Sequence, residues 1–214
     1  MVMTMNNKGS LIVLSGFSGS GKGTIVKELM SRYSQYALSV SMTTRAPREG
    51  EKDGEAYFFV SKERFEEEIS RGGLLEHARY VDNYYGTPRA YVEEKLGEGR
   101  DVILEIEVQG GLQIREKFEE AVLVFVTPPS AKELHRRLTG RGTEDASSVA
   151  NRIRRAAEEA PFMRDYDYIL INDDLDLCVE ELHRIVGAEK QKSLRRASFI
   201  ADIGRELADL SAEL

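Results

Sequence analysis

Gly16-Phe17-Ser18-Gly19-Ser20-Gly21-Lys22-Gly23-Thr24 decides the fold through what stands on either side of it. Before it, Leu11-Ile12-Val13-Leu14 is an unbroken apolar run, the pattern of a strand buried on both faces. After it, Ile25, Val26, Leu29, Met30 and Tyr33 recur at helical spacing within Lys22 to Tyr33. Strand, Gly-x4-Gly-Lys, helix is the frame in which a phosphate loop works. The glycines let backbone N–H groups turn inward, the helix N-terminus adds partial positive charge, and the lysine reaches the outer phosphates of a nucleoside triphosphate. Gly16, Phe17, Ser18, Gly19, Ser20, Gly21, Lys22, Gly23 and Thr24 are thus the expected phosphate contacts. Gly23 stands where a Ser or Thr usually follows the lysine to ligate magnesium. Thr24, one place on, is the hydroxyl left for that role, directly or through water.

Outward from the loop, short β-rich runs alternate with helix-period stretches, which predicts an α/β fold with a mainly parallel sheet. Residues 102–104, 122–126 and 168–171 read as further core strands. Helices are expected over Gln109 to Phe118, Ser130 to Leu138 and Asp174 to Val186. Between Ser39 and Thr87 the pattern shifts to shorter strands, Ala56 to Val60, Leu74 to Tyr80 and Asn83 to Thr87, around one compact helix, Lys62 to Arg71, an inserted α+β unit. The polar, glycine-flanked string Thr139-Gly140-Arg141-Gly142-Thr143-Glu144 joins two helices and has the composition of a mobile lid. The expected organisation is one domain: core about 9–38, 88–138 and 162–192, insert about 39–87, lid about 139–161. An amphipathic helix over about 195–214 carries Phe199, Ile203, Leu207, Leu210 and Leu214 and is expected to dock on its own core or on a second subunit.

A net charge of −7 and a pI near 5.2 argue against a nucleic-acid backbone as the main partner, so phosphate binding must be local. The longest apolar run, Ala121 to Val126, is too short to span a bilayer, and a cytoplasmic location without membrane contact is expected. Cys178 lies in an apolar-periodic stretch and reads as a core thiol. His77, His135 and His183 lack metal-ligand spacing.

A second string narrows the chemistry. In Ser39-Val40-Ser41-Met42-Thr43-Thr44-Arg45-Ala46-Pro47-Arg48, two arginines three apart around a proline can fork onto a second phosphate. Tyr57, Glu76 and Tyr84-Tyr85-Gly86-Thr87 follow. Here, over nearly everything from Gly9 to about Lys190, the chain resembles the guanylate kinase family. The Ser-Val-Ser-x-Thr-Thr-Arg-x-Pro-Arg string, Asn83 to Thr87 and Arg141-Gly142-Thr143 carry the resemblance.

The resemblance implies ATP and GMP as substrates, Mg2+ with the ATP, and ADP and GDP as products. It implies Arg45, Arg48, Tyr57 and Tyr85 on the GMP phosphate, and Ser41, Glu76 and Thr87 on the guanine. A carboxylate at Glu76 can accept from the N1–H and amino group of guanine, a donor pair that adenine lacks. Glu105-Ile106-Glu107 closes a strand; the resemblance puts Glu105 near magnesium and the phosphates, and Glu107 near guanine. The family usually has Asp at both positions and Pro at Phe17, so the chain departs there. Arg137, Arg141 and Arg152 are the implied catalytic arginines, whereas Arg154 and Arg155 are expected to face solvent beside Glu158 and Glu159. Asn172 is either an adenine-side contact or part of a helix cap with Asp173 and Asp174. Competing readings are a P-loop kinase for another monophosphate and a non-catalytic binding module of the same fold. Monomer and homo-oligomer both stay open.

Overall fold

The computed structural model describes residues 8–55, 57–80, 82–140 and 146–214. Five strands, β1 (Leu11–Gly16), β2 (Tyr36–Leu38), β7 (Asp101–Glu105), β8 (Val122–Thr127) and β9 (Tyr168–Ile171), form one sheet in the order β2-β7-β1-β8-β9. Every pairing in it is parallel, as the apolar runs predict. Because side chains alternate across a strand, Leu11 and Val13 join one core while Ile12 and Leu14 join the other. α1 (Lys22–Arg32) and α7 (Leu175–Glu189) cover the Ile12 side through Ile25, Leu29, Cys178 and Leu182. On the other side lie α3 (Arg89–Gly97), α4 (Val108–Lys117), α5 (Ala131–Thr139) and α6 (Ala146–Glu159). Cys178 is a buried core thiol, pushed up to about 12 by desolvation.

The insert is a second sheet of β3 (Met42–Thr43), β4 (Phe58–Phe59), β5 (Leu74–Tyr80) and β6 (Asn83–Pro88), in the order β4-β3-β6-β5. It is mixed: β3 and β4 run parallel, and β6 is antiparallel to both β3 and β5. Helix α2 (Lys62–Ser70) is capped by the Ser61 hydroxyl, which accepts from the Arg64 N–H, and buries Phe65 against Tyr84.

Four features depart from the sequence reading. Strand β2 is three residues long and carries no alternation to detect. Helix α3 buries only Val92 and Leu96, too short a stripe to stand out. The strand expected over 56–60 shrinks to Phe58–Phe59, and Ala56 lies outside the described residues. The C-terminal helix forms as α8 (Ala197–Glu213), but none of its residues is buried, and Phe199, Ile203, Leu207 and Leu210 are exposed. Docking on its own core is therefore corrected.

Candidate active site

The loop after β1 enters α1 at Gly21, whose φ of 94° is left-handed and disfavours any residue with a Cβ. A Cβ there would also run into the Asn172 side-chain amide. No side chain caps α1, so its first N–H groups are left for a ligand. Lys22 folds back over the loop and donates from Nζ to the Gly16 carbonyl at 2.7 Å and to that of Phe17 at 3.4 Å. Burial lowers its pKa, and Glu105, then Glu107 and Glu159, oppose the shift.

Phe17 is buried edge-on against Phe125, so the residue standing in place of the family's proline is a packing element. Ser18 is exposed, and its hydroxyl lies 3.3 Å from Arg152 Nη1. The loop is braced from below: Asn172 Nδ2 donates to the Ser20 carbonyl at 2.8 Å, and Arg137 Nη2 donates to the Asn172 carbonyl at 2.8 Å. The cap of α7 is Asp174, whose carboxylate accepts from the Leu177 N–H, so the cap role weighed for Asn172 falls to Asp174.

Glu105 ends β7 beside the loop, its two oxygens 3.8 Å from where a Cβ on Gly23 would stand. The walls of the cleft desolvate it and raise its pKa although the side chain still reaches solvent; Lys22 pulls the other way. Its carboxylate makes no hydrogen bond or ion pair with the described residues, and Thr24 is exposed nearby at the start of α1. An oxygen-seeking cation fits this pair of groups. Among the described residues no group of three His, Cys, Asp or Glu side chains could hold a metal alone.

Across the cleft, the insert gathers a guanidinium–tyrosine corner. Arg45 lies 5.3 Å from the Tyr57 ring centroid, and the Tyr57 and Tyr85 rings meet edge-on at 6.0 Å. Burial, then Tyr85, pushes the Tyr57 phenol up, Arg45 opposes the shift, and Glu105 adds to it. Glu51, not singled out in the sequence, pairs with Arg45 at 2.9 Å and accepts from the Arg48 N–H at 2.8 Å. Those two contacts hold it below the usual carboxylate range. Its signal is an acid three residues beyond Arg48 in a turn. The Arg48 side chain is exposed on that turn.

Deeper in the insert, Glu76 on β5 is buried and accepts from the Thr87 hydroxyl on β6 at 2.6 Å. Burial raises its pKa. No ion pair with the described residues compensates its charge. Gly110 on α4 gives it room, since a Cβ there would come 2.6 Å from Glu76 Oε2. Ser41 is half-buried at the edge of the same sheet, its carbonyl accepting from the Phe58 N–H.

The structure corrects Arg155. It is half-buried and keeps the expected neighbour, donating from Nε to Glu159 at 2.8 Å, but its Nη2 also donates to Glu107 Oε2 at 3.0 Å on another element, whereas Arg154 is exposed and bonds Asn151 on its own helix. Arg141 lies outside the described residues.

An amide-and-lysine cradle on a parallel sheet, facing an arginine–tyrosine corner on a separate small sheet, defines a P-loop phosphotransferase that works on a second phosphorylated substrate. The family model described as guanylate kinase matches residues 8–189. A guanylate kinase from Latilactobacillus sakei is 50% identical over 186 residues, covering 86% of this chain and 92% of its own. One from Clostridioides difficile is 49% identical over 199 residues, covering 93% and 97%. The crystal structure of guanylate kinase from Anaplasma phagocytophilum superposes with a TM-score of 0.71 at 35% identity, covering 88% of this chain and 89% of that one. The chain belongs to the guanylate kinase family, and it is an ATP-dependent nucleoside monophosphate kinase of the P-loop fold. No helix among the described residues is long and apolar enough to cross a membrane.

Proposed function

We propose that the chain transfers the γ-phosphoryl group of ATP to GMP, with the guanine read by Glu76. The observation that carries this reading is a buried carboxylate held by Thr87 with no ion pair among the described residues. Such a group is costly unless a ligand supplies donors, and the N1–H and amino group of guanine are a matched pair of donors. Thr87 holds the carboxylate in place, and Ser41 would add a hydroxyl to the guanine. Arg45, Arg48, Tyr57 and Tyr85 would take the GMP phosphate, with Glu51 keeping the Arg45 fork extended before the dianion arrives.

On the donor side, the N–H groups of 16–24 and Lys22 would hold the β- and γ-phosphates. Thr24 and Glu105 would face a magnesium ion carried by ATP, whose chemistry is to neutralise charge on the bridging and transferred oxygens. Arg152 would reach the transferring group, a role supported by its contact with Ser18 of the loop. Arg137 acts one step back, through Asn172, and fixes the loop. Residues 139–161 would close over ATP as a lid, with Arg141 as a further charge on the phosphoryl group, excluding the water that would otherwise hydrolyse it.

The test is an assay of ADP release with GMP, AMP, CMP and UMP in turn. GMP should be the only good acceptor. Equal turnover with AMP would remove the role given to Glu76.

A further inference from the structure

Arg152 and Arg155 stand three apart on α6, on one face of the helix, and that face touches both halves of the cleft. Arg152 reaches the loop at Ser18, 134 positions away in sequence. Arg155 reaches Glu107, the residue at which the chain turns from β7 into α4, 48 positions away. A solvated arginine on this helix behaves as Arg154 does, bonding a neighbour on its own turn.

Arg155 instead spends the two edges of its guanidinium on different elements: Nε on Glu159 of α6 and Nη2 on Glu107. Glu159 is only 13% exposed in its side chain, so one end of the bridge is anchored inside the protein. The bridge also acts electrostatically on the loop, Glu107 and Glu159 raising the Lys22 pKa and Arg155 lowering it.

We propose that Arg155 is a positioning residue that couples the two nucleotide sites, tying Glu107 on the acceptor side to the helix that carries Arg152 to the phosphate loop. The inference rests on the reading of Glu107 as an acceptor-side group. A ligand that fixes Glu107 also fixes Arg155, and with it the orientation of α6. Arg152 is then held on the loop before the triphosphate binds, so the second nucleotide meets a helix already in place. Coupling of this kind is reciprocal: the factor by which GMP tightens ATP binding equals the factor by which ATP tightens GMP binding. A Lys at 155 could keep one of the two contacts but not the planar fork that makes both.

The experiment is calorimetric binding of GMP to the full chain, with and without a non-hydrolysable ATP analogue. It is run on wild type, Arg155→Gln, Arg155→Lys, Glu107→Gln and the Arg155→Gln/Glu107→Gln double variant. Wild type should show coupling of at least about fivefold. Arg155→Gln should lower the coupling factor about three- to fivefold, the range a half-exposed ion pair supports, while each Kd measured alone changes less. Arg155→Lys should fall between, and the double variant should be no less coupled than Arg155→Gln alone.

Three results overturn the inference: an uncoupled wild type, wild-type coupling in both Arg155 variants, or Arg155 variants that lose thermal stability and both affinities with the coupling factor unchanged. The last result would make Arg155 a structural brace only. A wild type that binds the ATP analogue but not GMP would bring down the proposed function, and this inference with it. That failure shows before any variant is measured.

Discussion

Glu76→Gln separates what burial costs the protein from what it gives the substrate. Gln keeps the size and an acceptor for the Thr87 hydroxyl, which bonds Glu76 at 2.6 Å, but removes the charge. Burial raises the Glu76 pKa in the folded state above its unfolded value. Below the unfolded value the carboxyl is neutral in both states, and ionisation costs nothing. As pH rises through the folded value, the chain must bury a charge, and about 1.4 kcal/mol of stability is lost for every tenfold by which folding weakens the acid. The variant escapes that cost. Its melting temperature should match wild type near pH 4 and exceed it at pH 7 to 8, by about 2–4 °C per kcal/mol for a chain of this size. Guanine recognition moves the other way. One of the two carboxylate acceptors becomes an amide donor facing a donor, and losing a hydrogen bond to a charged group costs about 1.5–3 kcal/mol. That predicts a roughly 10- to 150-fold fall in kcat/KM for GMP, with the ratio against AMP falling alongside. Calorimetry across pH and the coupled kinase assay measure the two effects separately. A variant less stable than wild type at pH 8, with unchanged kcat/KM for GMP, would refute the reasoning.

Lys22→Met should lower kcat by about 10²- to 10³-fold while leaving the Kd for GMP near wild type; normal turnover would remove the loop's assignment. Gly110→Ala places a methyl 2.6 Å from Glu76 Oε2 and 3.3 Å from Ile106 Cδ1. The displaced carboxylate should raise KM for GMP about tenfold with the Kd for an ATP analogue unchanged, and an unaltered KM would show that Glu76 does not need its present position. Truncation after Arg196 removes α8, which buries no side chain. The melting temperature should move by no more than about 2 °C, and a larger drop would reveal a packing role for that helix.

What can be read from the sequence follows from whether the signal is local. The strand, loop and helix from Leu11 to Tyr33 announce themselves because the apolar period changes from continuous to helical across a run of glycines. Arg45, Tyr57, Tyr85, Glu76 and Thr87 come through a resemblance, and the structure gathers them on and beside one small sheet. Arg155 misleads because Glu158 and Glu159 beside it offer local partners, whereas its second contact, Glu107, is 48 positions away. Gly110 and Gly111 leave a trace that composition alone passes over. Two glycines inside a helix cost roughly 2 kcal/mol against alanine, a penalty that marks close approach by another group. The group at Gly110 is the Glu76 carboxylate.

The donor side of the site is a consequence of strand register. β1 and β7 are parallel with Leu14 opposite Glu105, so the strand that ends in a carboxylate stops just short of the turn where β1 becomes the loop. That offset puts Glu105 beside Gly23 and within electrostatic reach of Lys22. On the other side, β8 pairs with β1 through Gly16–Val126 and with β9 through Thr127–Ile171, and the Asn172 N–H donates to the Thr127 carbonyl. Asn172 is thereby delivered under Ser20. Three parallel strands ending at one edge thus supply a lysine cradle, a carboxylate and a brace from segments up to 152 residues apart. An antiparallel neighbour would turn its chain end away from that edge, so the chemistry on the ATP side requires the parallel sheet that the buried apolar strands impose.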